Sequence, residues 1–178
     1  MNKLVLIAGM MIAFAGFPEA SAPGPSGTPE AVSARKAPLP DSVRSAMVAR
    51  GRKDAAKFDR AARREIERLY RLSSSDDPGA AEALKTLEEK FPEANRTGCA
   101  VMYAAQRAQG AEREAILKRV IEKYDDCYYG DGVCVGAQAR WYLAKLHQAE
   151  AEKLLGEIRT RYPDAVTHRG QRFSDFLK

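Results

Sequence analysis

The chain has 178 residues, 45% of them hydrophobic, and carries 29 Lys and Arg against 24 Asp and Glu, a net charge of +5. That length bounds the fold to about one domain and can bury a core without depending on disulfides. Only two histidines are present, His147 and His168, and both lie far in sequence from the Cys127 and Cys134 pair, which argues against a zinc site of the usual ligand spacing.

In chain order, the first segment has Lys3 as a short positive region, an uncharged apolar run of 14 residues from Leu4 to Phe17, and the small residues Ala20-Ser21-Ala22. The pattern predicts a secretory signal peptide over 1–22; the run is shorter than the roughly 20 residues a membrane span needs. A second cleavage position lies after Ala13-Phe14-Ala15. Residues 23–40 hold five of the nine prolines and read as a flexible Pro-rich linker. The folded domain is then 41–178. Export places it in the periplasm or outside the cell, where nucleic acid is not an expected partner.

From Arg44 to Arg71, ten Lys and Arg stand against four Asp and Glu. Ala55, Phe58, Ala62, Ile66, Leu69 and Tyr70 recur at helical spacing, which predicts one basic helix over 44–71. Such a helix presents either a solvated face or a surface for anionic lipid or lipopolysaccharide. The stretch 73–79 breaks it, with Asp77 as the N-cap of a helix over 78–91.

The rest is helical and repetitive. "ALKTLEEKF" (83–91), "ILKRVIEKY" (116–124) and "LLGEIRTRY" (154–162) align without gaps, each ending in an aromatic residue. The segment 98–117 aligns on 136–155 at a constant offset of 38, with Gly98 on Gly136. A helix–turn–helix period of this length predicts an all-α protein of antiparallel helix pairs stacked as a short α-solenoid. The chain at this point resembles the tetratricopeptide (TPR) family. Ala139, Tyr142, Ala151, Leu155 and Pro163 fall at that family's small, aromatic, small, large and helix-ending positions. Arg113 and Asp125 depart from the pattern, so the array is degenerate over about 54–165. The resemblance implies protein or peptide partners bound non-enzymatically.

The unit joint at 125–135, "DDCYYGDGVCV", is longer than the joint at 92–97. In an oxidising compartment Cys127 and Cys134 are expected to bond, closing a ring of eight residues worth about 2.5 kcal/mol. Cys99 could pair with either instead, or all three could stay reduced. The acids there lack the alternate spacing and distal Glu of a calcium loop. No phosphate loop, metal-protease motif, dinucleotide fingerprint or nucleophile elbow is present, so no cofactor and no enzyme chemistry is expected. The remaining thiol–imidazole set is Cys99 with His147 or His168, the latter read as opening a last helix. Gln106, Arg107 and Arg140 are expected on the exposed faces of the first helices and are the candidate protein-binding residues. Tyr103, Trp141 and Tyr142 read mainly as core. Phe173, Phe176 and Leu177 form a stripe expected to cap the last unit.

Overall fold

The computed structural model describes residues 38–175. The signal-peptide expectation, most of the linker, and Phe176 and Leu177 of the terminal stripe lie outside the described residues. Those described form seven α-helices: α1 (Asp41–Lys57), α2 (Arg60–Ser73), α3 (Ala80–Lys90), α4 (Asn95–Arg107), α5 (Gly110–Lys123), α6 (Val135–Leu146) and α7 (Ala151–Arg161). A 3-10 turn (Gln148–Glu150) leads into α7, and another (Phe173–Asp175) ends the described chain. Among the described residues the only β-pairing is two isolated bridges, with no continuous strand.

The basic segment is not one helix. Phe58 is extended, and the Asp59 carboxylate accepts the Ala62 amide at 2.8 Å, capping a fresh start at Arg60. An aspartate at this position satisfies an otherwise orphaned N–H. Phe58 is drawn from the helical path by edge-on packing against Phe91, ring centres 5.9 Å apart. Downstream, Asp77 opens the next turn by accepting the Gly79 amide at 2.7 Å, with the helix itself starting at Ala80.

Helices α2–α3, α4–α5 and α6–α7 pack as successive pairs, their short connections making them antiparallel. The first helices α2, α4 and α6 touch in a row, and α3 and α5 each wedge against the first helix of the next pair. This is the predicted all-α, α-solenoid-like stack. Its core runs along the row: Leu87 and Ala100 between the first two pairs, then Val101, Met102, Leu117, Val120, Val135 and Leu143 between the second and third.

The period reaches further than the helices. After α3, α5 and α7 the chain makes the same tight turn, with the amides of Ala94, Cys127 and Ala165 donating to the carbonyls of Phe91, Tyr124 and Tyr162 at 3.0, 3.1 and 3.0 Å. After α5 a two-armed ribbon follows: Tyr129 N–H to Val133 C=O, Gly132 N–H to Tyr129 C=O, Val135 N–H to Cys127 C=O, with a bridge between Tyr128 and Cys134. After α7 every one of these recurs 38 residues on: Thr167 to Gln171, Gly170 to Thr167, Phe173 to Ala165, and a Val166–Arg172 bridge. Gly132 and Gly170 both hold positive φ, +90° and +78°, which this turn demands and side chains resist. So 163–173 is a second copy of the ribbon, and His168 lies at its tip rather than at the start of a helix. Phe173 is 2% exposed and packs with Ala137, Trp141 and Ile158, consistent with a cap on the last pair.

Helix α1 stands apart from the row. Of the described helices it touches only α4. It lies across the three tight turns, with Ser42 at Asp164, Lys53 at Asp126 and Lys57 at Glu93. Leu39, in the predicted linker, already packs over Gly132.

Candidate functional site

The sulfurs of Cys127 and Cys134 are not bonded; all three cysteines are free and buried. The ribbon explains the correction. Tyr128 pairs with Cys134, so Cys127 pairs with Val135, and residues one step apart point to opposite faces. Cys127, Tyr129, Val133 and Val135 face the main core, while Tyr128 and Cys134 face the Ile158–Phe173 cluster. A spacing that would close a small ring in an irregular loop here puts the two thiols on opposite sides of a ribbon. Burial raises the pKa of all three, Cys127 to about 12. Thiols buried and protonated in this way react slowly. In native buffer a colorimetric disulfide reagent at pH 8 should therefore find almost no thiol within minutes, and three per chain after unfolding without reductant. One thiol per chain on unfolding would restore a disulfide.

The three candidate binding residues do not make one site. Arg140 is 1% exposed: its Nε donates to Glu157 at 2.8 Å, and Nη1 reaches Asp125 and the Gly136 carbonyl. It is an internal tie between α6, α7 and the joint before α6, not a groove residue. Arg107 is exposed as expected, but its guanidinium donates to the carbonyls of Ser73 and Ser75 at 2.6 and 3.1 Å. It caps the C-terminal end of α2, where the helix dipole favours a cation. Gln106 is half-buried on α4.

The imidazoles have partners away from Cys99. His147 stands 3.0 Å from the Glu114 carboxylate. His168 Nδ1 lies 2.8 Å from Asp131, and its Nε2 lies 3.0 Å from the side-chain nitrogen of Gln138. The Cys99 thiol instead faces the Tyr128 carbonyl at 3.4 Å. Among the described residues no group of three His, Cys, Asp or Glu side chains could hold a metal ion, and no helix is long and apolar enough to cross a membrane.

What the fold does build is a hollow of about 360 Å³ between α6 and the second ribbon. Trp141, Tyr142 and Phe173 wall it, with Trp141 5.4 Å from the Tyr142 ring and 6.0 Å from Phe173. Its polar lining includes Gln138, His168 and Arg169. In the tautomer whose Nδ1–H donates to the Asp131 carboxylate, His168 Nε2 accepts from the Gln138 amide. That chain fixes the Gln138 side chain, which is 5% exposed and whose oxygen has no hydrogen-bond partner. Ordinarily such a buried acceptor finds a donor. The hollow thus combines rigid aromatic area with an oriented amide, a combination suited to binding rather than to bond chemistry. Sequence reading passed over Gln138 and took His168 only as an imidazole for Cys99 at the start of a last helix. The signal that reveals them is the 38-residue offset continued past Pro163, where Asp126 meets Asp164 and Gly132 meets Gly170.

These features define a class: an all-helical stack of repeated helix pairs with ribbon-bearing joints. Compared with protein-family models, with curated proteins and with solved structures, the chain matches none.

Proposed function

We propose that the protein is an exported, non-enzymatic protein-interaction scaffold built on TPR-like repeats, working in the periplasm or at an envelope surface. The observation that carries this reading is the aromatic hollow at the end of the first-helix row, where a stack of rigid pairs presents Trp141 and Tyr142 beside a fixed amide. Aromatic anchors of this kind dominate protein contacts. The signal-like run Leu4–Phe17 supports export. A photo-crosslinking residue at Gln171, on the rim, is expected to capture a discrete polypeptide in native envelopes, and the same residue at Glu82 on α3 is not. Trp141→Ala on the Gln171 background should abolish the adduct while the chain stays folded. Equal capture from both positions, or capture that survives Trp141→Ala, would count against the hollow.

One observation favours a second reading, a peripheral protein that binds anionic lipid or lipopolysaccharide. Arg52, Arg60, Arg63 and Arg64 are exposed and have no ionic partner among the described residues. Three of them crowd the start of α2, the positive end of its dipole, which is unfavourable by about 0.3–1 kcal/mol each. On this reading sedimentation with phosphatidylglycerol vesicles should be strong at low salt and lost by about 0.5 M salt, where the Debye length falls to about 4 Å. Binding to the hollow should survive that salt.

A further inference from the structure

Each of the three tight turns carries an acid two residues past the aromatic that ends the preceding helix: Glu93, Asp126 and Asp164. Helix α1 meets all three. Lys57 pairs with Glu93, Lys53 lies 2.6 Å from Asp126 with Arg50 at 3.6 Å, and the Ser42 hydroxyl donates to Asp164 at 2.7 Å. The repeat therefore generates a row of acids along one edge of the stack, and a basic helix lies on that row.

We propose that this row of turns is a docking rail for a basic helix, that α1 is its resident occupant, and that a basic helix of a protein partner takes the rail by displacing α1. Charge complementarity and the seat of α1 itself define what fits: arginine, then lysine three and seven residues later, the pattern of Arg50, Lys53 and Lys57. Arg50 is the buried tether, its guanidinium donating to the Glu93 carbonyl and to Asp54 and lying 3.9 Å from the Cys127 sulfur.

Three features make α1 displaceable. Only Val43 and Arg50 of its 17 residues are buried, so apolar burial holds it weakly. Its outer ion pairs are open to solvent, with Lys53 66% and Asp126 55% exposed, the kind that contributes little and yields to salt. Its departure frees the Asn95 amide at the start of α4, which donates to the Asp54 carboxylate at 3.1 Å, but α2 keeps its own cap from Asp59 and the helix pairs keep their apolar core. A crevice of about 380 Å³ opens between α1 and the first two turns, lined by Lys53, Lys57, Glu93 and Asp126. The rail is distinct from the aromatic hollow, and the proposal stands or falls independently of the function proposed above.

The test compares hydrogen exchange in the full chain and in Lys53→Glu/Lys57→Glu, with a fluorescein-labelled peptide of residues 40–58 as the probe. The double variant should exchange the amides of α1 at least about ten-fold faster while α4 beyond its first turn and α5 to α7 keep their rates, the signature of sub-global opening. With its own helix ejected it should bind the probe at least about ten-fold more tightly than the parent chain, and high salt should reverse this. In Glu93→Lys/Asp126→Lys, which also ejects α1, the probe should not bind. Unchanged protection of α1, loss of protection in α4 beyond its first turn and α5 to α7 together with α1, or equal probe binding to the rail-reversed chain would each overturn the proposal.

Discussion

Gly136→Ala is expected to cost about 3 kcal/mol or more, a fall in Tm of about 10 °C for a domain of this size. A methyl carbon on Gly136 would stand 2.3 Å from Asp125 Oδ1, 2.5 Å from the Asp125 carbonyl oxygen and 3.0 Å from its Cα. The carboxylate tip can swing, but the carbonyl and Cα belong to the tight turn after α5, whose Cys127-to-Tyr124 hydrogen bond fixes them. Moving that turn would also drag Asp125 away from Arg140 and Arg161. Gly98 is in a similar position: its methyl would lie 2.6 Å from the Cys127 sulfur and 2.8 Å from Tyr124 Cβ. The contrast is Gly51, inside α1 with nothing within 4 Å of a new methyl. There alanine removes backbone entropy from the unfolded chain and should stabilise α1 by roughly 0.5–1 kcal/mol. Urea unfolding of the three variants reads the difference; a Gly136→Ala chain within 1 kcal/mol of the parent would mean that α6 does not approach the turn this closely.

That contrast also shows what the sequence made legible. The alignment of Gly98 on Gly136 marked two places where a first helix runs tight against the turn after α5, on the Cys127 and Tyr124 side chains at Gly98 and on the Asp125 backbone at Gly136, and the aligned nonapeptides ending in Phe91, Tyr124 and Tyr162 marked the second helix of each pair. Both signals survive because packing geometry dictates residue type there. The break at Phe58-Asp59 was masked by apolar residues that keep helical spacing across it, although Asp59 is the kind of residue that starts a helix. The second ribbon was masked because its backbone hydrogen bonds set its shape, and side chains share little between copies beyond Asp126 with Asp164 and Gly132 with Gly170. The Cys127–Cys134 expectation failed for a related reason. Spacing along the chain says nothing of which face a residue takes until the ribbon's register is known. Gln106 and Arg107 were placed correctly on the first helix of a pair, but the Ser73 carbonyl had already claimed the Arg107 guanidinium.

Arg140 was the most misleading residue, and it carries the second large expected effect. It sits with Ala137, Ala139, Leu143 and Ala144 on α6, all buried, and the offset of 38 places it on Met102, which is fully buried in the preceding pair. An arginine within such a stripe is a buried ion pair in waiting. Arg140→Met copies the residue the repeat uses elsewhere, so shape and helix propensity are nearly kept and the charge alone is removed. The cost should still be about 3 kcal/mol, because Glu157 and Asp125 lose the cation that justified their partial burial. It should not reach the upper end for such networks, since the two carboxylate side chains are 33% and 21% exposed and Arg161 still reaches Asp125. Arg140→Met/Glu157→Gln should recover part of the loss, and the double-mutant cycle should show coupling of about 1 kcal/mol or more. Arg161→Met, whose side chain is 52% exposed, should cost under about 1 kcal/mol and do so only at low salt. If Arg140→Met were as stable as the parent in urea, the guanidinium would contribute no more than the methionine it replaces in the repeat. The tie between α6, α7 and the joint before α6 would then rest on apolar packing alone.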